Sequence, residues 1–194
     1  NWEEIIGDDS KCADKIQLLY LGYNKLKEFP EYDLLKKMKK LSLLDCTNNE
    51  IETLHPFGKE VKLMKVYLDN NKITKIPSVE EDNGLKYFFG WNDVENFSCS
   101  NNLLTEVPNI FNAKSDFVMG TVDFSNNLID KFEDGEDHRG INASTVNLHH
   151  NKFKVFPKLL FEKESPMQTL NLSSNGMTTI PKGALKGKTS LEYL

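Results

Sequence analysis

Seven asparagines recur along the chain at a nearly fixed interval, each at the same place in the same local pattern. They are Asn24, Asn49, Asn71, Asn102, Asn127, Asn151 and Asn175, and successive differences give 25, 22, 31, 25, 24 and 24 residues. Residues 169–181 read TLNLSSNGMTTIP, residues 143–157 read ASTVNLHHNKFKVFP and residues 63–77 read LMKVYLDNNKITKIP. The stretches 16–30, 41–56, 94–108 and 119–132 follow the same template, L-x-x-L-x-L-x-x-N-x-L-x-x-L, and most close on proline. Self-similarity at this period specifies stacked supersecondary units, each burying its apolar face against its neighbours.

The template dictates local structure. In the L-x-L core, alternation marks a short strand with one buried face, so Leu170 and Leu172 point inward while Thr169, Asn171 and Ser173 point outward. A parallel neighbour requires a crossover, so the chain must turn sharply after each strand. Amides left unpaired in a turn beside the core are costly. Asparagine carries a donor and an acceptor on a short stem and can close such a turn and tie it to the next coil. The seven asparagines are therefore expected to form a structural ladder and not a site.

The repeat resembles that of leucine-rich repeat proteins, over about 180 residues, and its length is similar to the typical class of roughly 24 residues. The resemblance implies an α/β fold: a right-handed solenoid curved into an arc, with short parallel strands on the concave face and irregular or helical convex segments. It also implies protein-binding work without catalysis, and no shared catalytic residues. Stretches outside the consensus, PNIFNAKS and GINASTV, look similar to surface or secreted repeat proteins of anaerobic gut bacteria. An extracellular or bacterial cell-surface location follows as the expectation, with a cytoplasmic one as the alternative.

Two regions depart from the template. Residues 1–15 show no recognisable cap and read as the tail of an earlier repeat or a capping helix. Residues 16–194 read as seven repeats plus the start of an eighth, since Leu191 and Leu194 fall where the next motif would begin. A fragment of a longer array is expected, with an apolar end suited to self-association. The 31-residue interval carries Tyr87, Phe88, Phe89 and Trp91, which read either as a wedge in the convex core or as an exposed patch.

Chemistry is sparse. No Gly-rich phosphate loop, H-E-x-x-H or C-x-x-C motif occurs. Cys46 and Cys99 share an inward slot two repeats apart, roughly 10 Å, beyond the about 7 Å that a disulfide spans. Both read as buried thiols, and Cys12 has no evident partner. His149 and His150 are adjacent, and Ser125 and Ser173 beside His149 are poor metal ligands. The acidic run at 132–140 lacks the spacing of a known calcium loop and reads as a solvated loop. Asp45 and Asp69, one repeat apart, have the residue types of an acid/base pair but no pocket around them. No catalytic residue, metal or cofactor is assigned.

Net charge is −5. Lys36, Lys37, Lys39 and Lys40 accompany Leu34, Leu35, Met38 and Leu41 in a pattern that predicts an amphipathic helix with a solvated basic face, not a nucleic-acid surface. No apolar run reaches the length of a membrane span.

The outward strand positions remain as candidate contacts. One row is Leu18, Leu43, Lys65, Asn96, Thr121, Thr145 and Thr169; the next is Tyr20, Asp45, Tyr67, Ser98, Asp123, Asn147 and Asn171; the last is Gly22, Thr47, Asp69, Ser100, Ser125, His149 and Ser173. Leu18, Tyr20, Leu43 and Tyr67, with Tyr23 nearby, suit a protein or peptide partner, since tyrosine is enriched at binding hot spots. The alternative is that they only cover the sheet. The later polar positions, Asp69, Asn96, Asp123, Asn147, His149 and Asn171, suit a glycan or a peptide backbone. Three N-x-S triplets begin at Asn96, Asn142 and Asn171; a glycan on Asn171 would block the strand face.

Overall fold

The computed structural model describes residues 10–56, 61–77, 79–80, 86–87, 94–109, 117–133, 141–161 and 166–194. Seven strands form one parallel sheet: β1 (Leu18–Tyr20), β2 (Leu43–Asp45), β3 (Lys65–Tyr67), β6 (Asn96–Ser98), β8 (Met119–Asp123), β10 (Ala143–Asn147) and β11 (Thr169–Asn171). They lie side by side in chain order, as a solenoid requires. The register never slips. Leu18, Leu43, Lys65, Asn96, Thr121, Thr145 and Thr169 are successive partners, and so are Tyr20, Asp45, Tyr67, Ser98, Asp123, Asn147 and Asn171. The 31-residue interval between Asn71 and Asn102 leaves this alignment intact, because Lys65 still faces Asn96.

The inward strand residues Leu44, Val66, Phe97, Val122, Val146 and Leu170 are buried, as are Cys46, Leu68, Cys99, Phe124, Leu148 and Leu172 one step further along. Ile51, Ile73, Leu104, Ile129 and Phe153, each two residues past an asparagine, complete the same core. Phe97 and Phe124 meet edge-on at 5.5 Å between centroids, a favourable aromatic geometry.

The return segments are mostly irregular, so helix contributes little to the fold. The described residues hold two four-residue helices, α1 (Ser10–Ala13) and α2 (Tyr32–Leu35), and one 3-10 turn at Lys158–Phe161. Two short pairings lie within the return segments: β7 (Glu106–Val107) with β9 (Lys131–Phe132) in parallel, and β4 (Val79–Glu80) with β5 (Lys86–Tyr87) antiparallel. The helix expected to carry the lysine cluster ends at Leu35. Lys36 still donates to the Tyr32 carbonyl, but Lys37, Met38 and Leu41 donate three residues back, to Leu34, Leu35 and Met38. The same apolar spacing serves successive tight turns, which bury Leu34, Leu35, Met38 and Leu41 and leave Lys36, Lys39 and Lys40 exposed.

Past β11, Tyr193 forms a bridge to Thr169, and its carbonyl accepts the Leu170 amide at 3.0 Å. Residues 1–9, the side chains of Tyr87, Phe88, Phe89 and Trp91, and the acidic stretch at 134–140 lie outside the described residues.

Candidate functional site: the strand face

Each turn after a strand is built from two residues in tandem. The first has a left-handed backbone: Tyr23, Asn48, Asn70, Asn101, Asn126, His150 and Ser174 all have φ between 51° and 57°. Asparagine is among the few L-residues that visit this region readily, and it fills four of the seven places. The doublets 48–49, 70–71, 101–102 and 126–127 carried this signal in the sequence, but the first member of each was not singled out there.

The second residue is the repeating asparagine. In Asn71, Oδ1 accepts the Ile51 amide at 3.0 Å, while Nδ2 donates to the carbonyls of Cys46 and Leu68, both at 3.0 Å. Asn49, Asn102, Asn127, Asn151 and Asn175 make the same set of bonds in their own coils. Each therefore ties its turn to the preceding coil, not to the next one as the sequence suggested. The forward tie comes from the left-handed residue, whose amide donates to the following coil: Asn70 to the Ser100 carbonyl, Asn126 to that of His149. Asn24 is exposed, and its amide reaches only Leu21 and Gly22 of its own turn.

The outward acids and amides are also engaged. Asp45 Oδ1 accepts the Thr47 amide at 2.9 Å and Asp123 Oδ1 accepts that of Ser125 at 2.8 Å. Asn147 accepts from His149, and Asn171 accepts from both the amide and hydroxyl of Ser173. Asn147 Nδ2 also donates to Asp123 Oδ2 at 2.9 Å, linking neighbouring strands. These side chains close the strand ends from outside, as short polar residues commonly do by bonding their own backbone two residues on. Asp69 bonds to the hydroxyls of Ser98 and Ser100 and to the Ser100 amide. Asp45 and Asp69 thus serve different turns.

His149 and His150 do not point apart. His150 is left-handed, which swings its ring to within 2.7 Å, Nδ1 to Nδ1, of His149. One ring donates and the other accepts. Among the described residues, no group of three or more His, Cys, Asp or Glu is arranged to hold a metal ion. Burial raises the Cys46 thiol to about 12, with Asp45 adding to the effect, and pushes Cys99 well above its ordinary value beside Asp69 and Asp123. Both thiols are buried and free.

The face is uneven in exposure. Leu18 is 52% exposed, Tyr20 64% and Tyr23 84%, whereas Leu43, Tyr67, Asn96 and the engaged polar residues are half-buried. Leu18, Leu43 and Lys65 are aligned partners, as are Tyr20, Asp45 and Tyr67. The apolar and aromatic members of the face therefore gather in the first three coils, with Asp45 between the two tyrosines of its row.

The family described as "Leucine rich repeat" matches residues 141–194. A leucine-rich repeat protein from Bacteroides eggerthii DSM 20697 is 44% identical, with a TM-score of 0.76 over 91% of this chain and 29% of that one. The chain has the leucine-rich repeat solenoid fold. A second such protein, from Bacteroides thetaiotaomicron VPI-5482, is 43% identical with a TM-score of 0.75, covering 97% of this chain and 23% of that one. Human lumican is 36% identical over 103 residues, 52% of this chain and 28% of its own length. The chain spans less than a third of the length of each of these leucine-rich repeat relatives. Leucine-rich repeat proteins generally mediate recognition of other proteins and are typically non-enzymatic. Among the described residues, no helix is long and apolar enough to cross a membrane.

Proposed function

We propose that this leucine-rich repeat chain is a non-enzymatic recognition module. Its contact surface is the strand face of the first three coils, and its partner is a protein or peptide. The observation that carries this reading is the gathering of Leu18, Tyr20 and Tyr23, more than half exposed, with Leu43 and Tyr67 on the strand positions of the first three coils. Tyrosine gives large contact area at low conformational cost and is enriched among residues that dominate binding energy. The polar residues of later coils spend their hydrogen bonds on closing turns, which leaves less free chemistry there. Residues 16–194 are taken as one solenoid of seven coils with the start of an eighth, preceded by a short segment at 1–15. A secreted setting is supported by the similarity to lumican, a secreted protein, and a bacterial source by the identity to the two Bacteroides proteins; a place at the bacterial cell surface is part of the same proposal.

The test compares the full chain with a Tyr20→Ala/Tyr67→Ala variant in affinity capture from the native medium, followed by mass spectrometry. A partner whose recovery falls at least tenfold in the variant supports the reading. Equal recovery of every captured protein overturns it in favour of a spacer that positions another domain.

A further inference from the structure

A second concavity lies away from the outward rows, at the edge where the strands begin. Its volume is about 280 Å³, and Lys39, Lys40, Lys62, Met64, Glu95 and Phe117 contribute to its lining. The backbone at this edge is fixed. The Ser42 carbonyl accepts the amides of Met64 and Lys65, that of Met64 accepts Glu95 and Asn96, and that of Glu95 accepts Gly120 and Thr121. With these carbonyls each occupied twice, the chemistry left to the recess is that of its side chains.

Those side chains are sorted along the stack. Lys39 and Lys40 precede β2 and Lys62 precedes β3, while Glu95 and Phe117 precede β6 and β8. The lysines therefore belong to the β2 and β3 coils, and the aromatic ring lies two strands further on. Met64, 41% exposed, shares the β3 coil with Lys62, and Glu95 stands between that coil and Phe117 in the stack. Three ammonium groups against one carboxylate give the recess a local surplus of positive charge in a chain of net charge −5. Four lysines elsewhere are paired: Lys36 with Asp33, Lys72 with Glu50, Lys75 with Glu133 and Lys131 with Glu106. Among the described residues, Lys39, Lys40 and Lys62 have no such partner. Charges of one sign gathered in a cleft focus the field and attract the opposite charge.

We propose that this recess docks an acidic peptide segment, its carboxylates meeting Lys39, Lys40 and Lys62 and an adjacent apolar side chain lying on Met64 and Phe117. Charge complementarity selects the acid, and the apolar end of the recess selects a peptide over a sulfated glycan, which has no bulky apolar group to place there. The inference deepens the proposed recognition role by naming the partner's chemistry, yet it uses residues distinct from Tyr20 and Tyr67, so the two stand or fall separately.

The experiment is fluorescence anisotropy on the full chain with a labelled Glu-Glu-Phe-Glu-Glu peptide, its all-glutamine counterpart and a version with alanine for phenylalanine. Saturable binding of the acidic peptide is expected, weakening at least fivefold when salt rises from about 20 to about 200 mM, as screening shortens the reach of the lysines. The Lys39→Gln/Lys40→Gln/Lys62→Gln variant is expected to bind at least tenfold more weakly, and Lys62→Gln alone severalfold, with unchanged circular dichroism. Loss of the phenylalanine is expected to cost threefold or more. Equal binding of the glutamine peptide, indifference to the lysine substitutions, a preference for a heparin-derived oligosaccharide, or absence of saturable binding would each overturn the proposal. A Tyr20→Ala/Tyr67→Ala chain is expected to bind the peptide normally; if it does not while the lysine variants do, the recess is not the site.

Discussion

Asp69 Oδ1 accepts the Ser100 amide at 2.7 Å across a coil boundary. In four other coils the strand's own outward residue closes the equivalent turn: Asp45, Asp123, Asn147 and Asn171. In the fourth coil that place is held by Ser98, whose hydroxyl is itself bonded to Asp69. The carboxylate of the third coil thus supplies what the fourth lacks. Asp69→Ala leaves the Ser100 amide and both hydroxyls without their acceptor and is expected to cost about 1–3 kcal/mol, read as a lower urea midpoint. Tyr67, two residues earlier at the end of β3, makes no comparable bond, and Tyr67→Ala is expected to cost less.

The ladder asparagines differ in what they hold. Asn127 is 4% exposed and bonds to Leu104, Cys99, Phe124 and Ser125, whereas Asn24 is exposed and serves only its own turn. Asn127→Ala strands several buried backbone groups, each worth about 1–3 kcal/mol when left unsatisfied. Its unfolding midpoint is expected to fall far more than that of Asn24→Ala, which should stay within about 1 kcal/mol of the parent.

The left-handed residue offers the opposite test. Ser174 has φ of 55° and is exposed. Ser174→Asn is expected to stabilise by up to about 1 kcal/mol, because asparagine tolerates that backbone better. Ser174→Val should destabilise by about 1–2 kcal/mol, since a β-branched side chain fits it worst. Paired chemical denaturation curves check the sign of both.

Thiol chemistry gives a pH-dependent prediction. A thiol reagent near neutral pH is expected to label Cys12 alone in the folded chain and all three cysteines in denaturant, because Cys46 and Cys99 are buried and Cys12 is exposed. Burial raises Cys46 to about 12 and Cys99 well above its ordinary value. Their protonated forms are compatible with the fold at any pH below the unfolded pKa of about 8.5. Above it the unfolded chain releases protons that the folded chain keeps, so stability falls as pH rises, by about 1.4 kcal/mol per unit for each such thiol. A Cys46→Ala/Cys99→Ala chain should lose that part of the slope between about pH 9 and 12.

The solenoid was legible in the sequence because one constraint recurs from coil to coil: a turn next to the core must have its amides and carbonyls paired, and asparagine does so in the same way in six of the seven turns, Asn24 alone serving only its own. The outward rows followed from strand alternation alone. Other features depended on partners distant in sequence. Asp69 closes a turn 31 residues ahead, which no local pattern announces. The ring contact of His149 with His150 depends on a left-handed backbone at His150, where strand alternation no longer applies. The lysine cluster misled because Leu34, Leu35, Met38 and Leu41 have a spacing common to a helix and to consecutive tight turns. The strand-edge recess draws its lining from several coils, so no single stretch of sequence contains it.

The unbroken register across the long third interval has a further consequence. Contour length and surface pitch are uncoupled in this chain. Return segments can gain or lose residues while the outward groups keep a lattice repeat of about 4.8 Å, fixed by backbone pairing alone. The face behaves as a ruler whose graduations are insulated from drift in the loops, so its side chains can diversify independently of the chain's length.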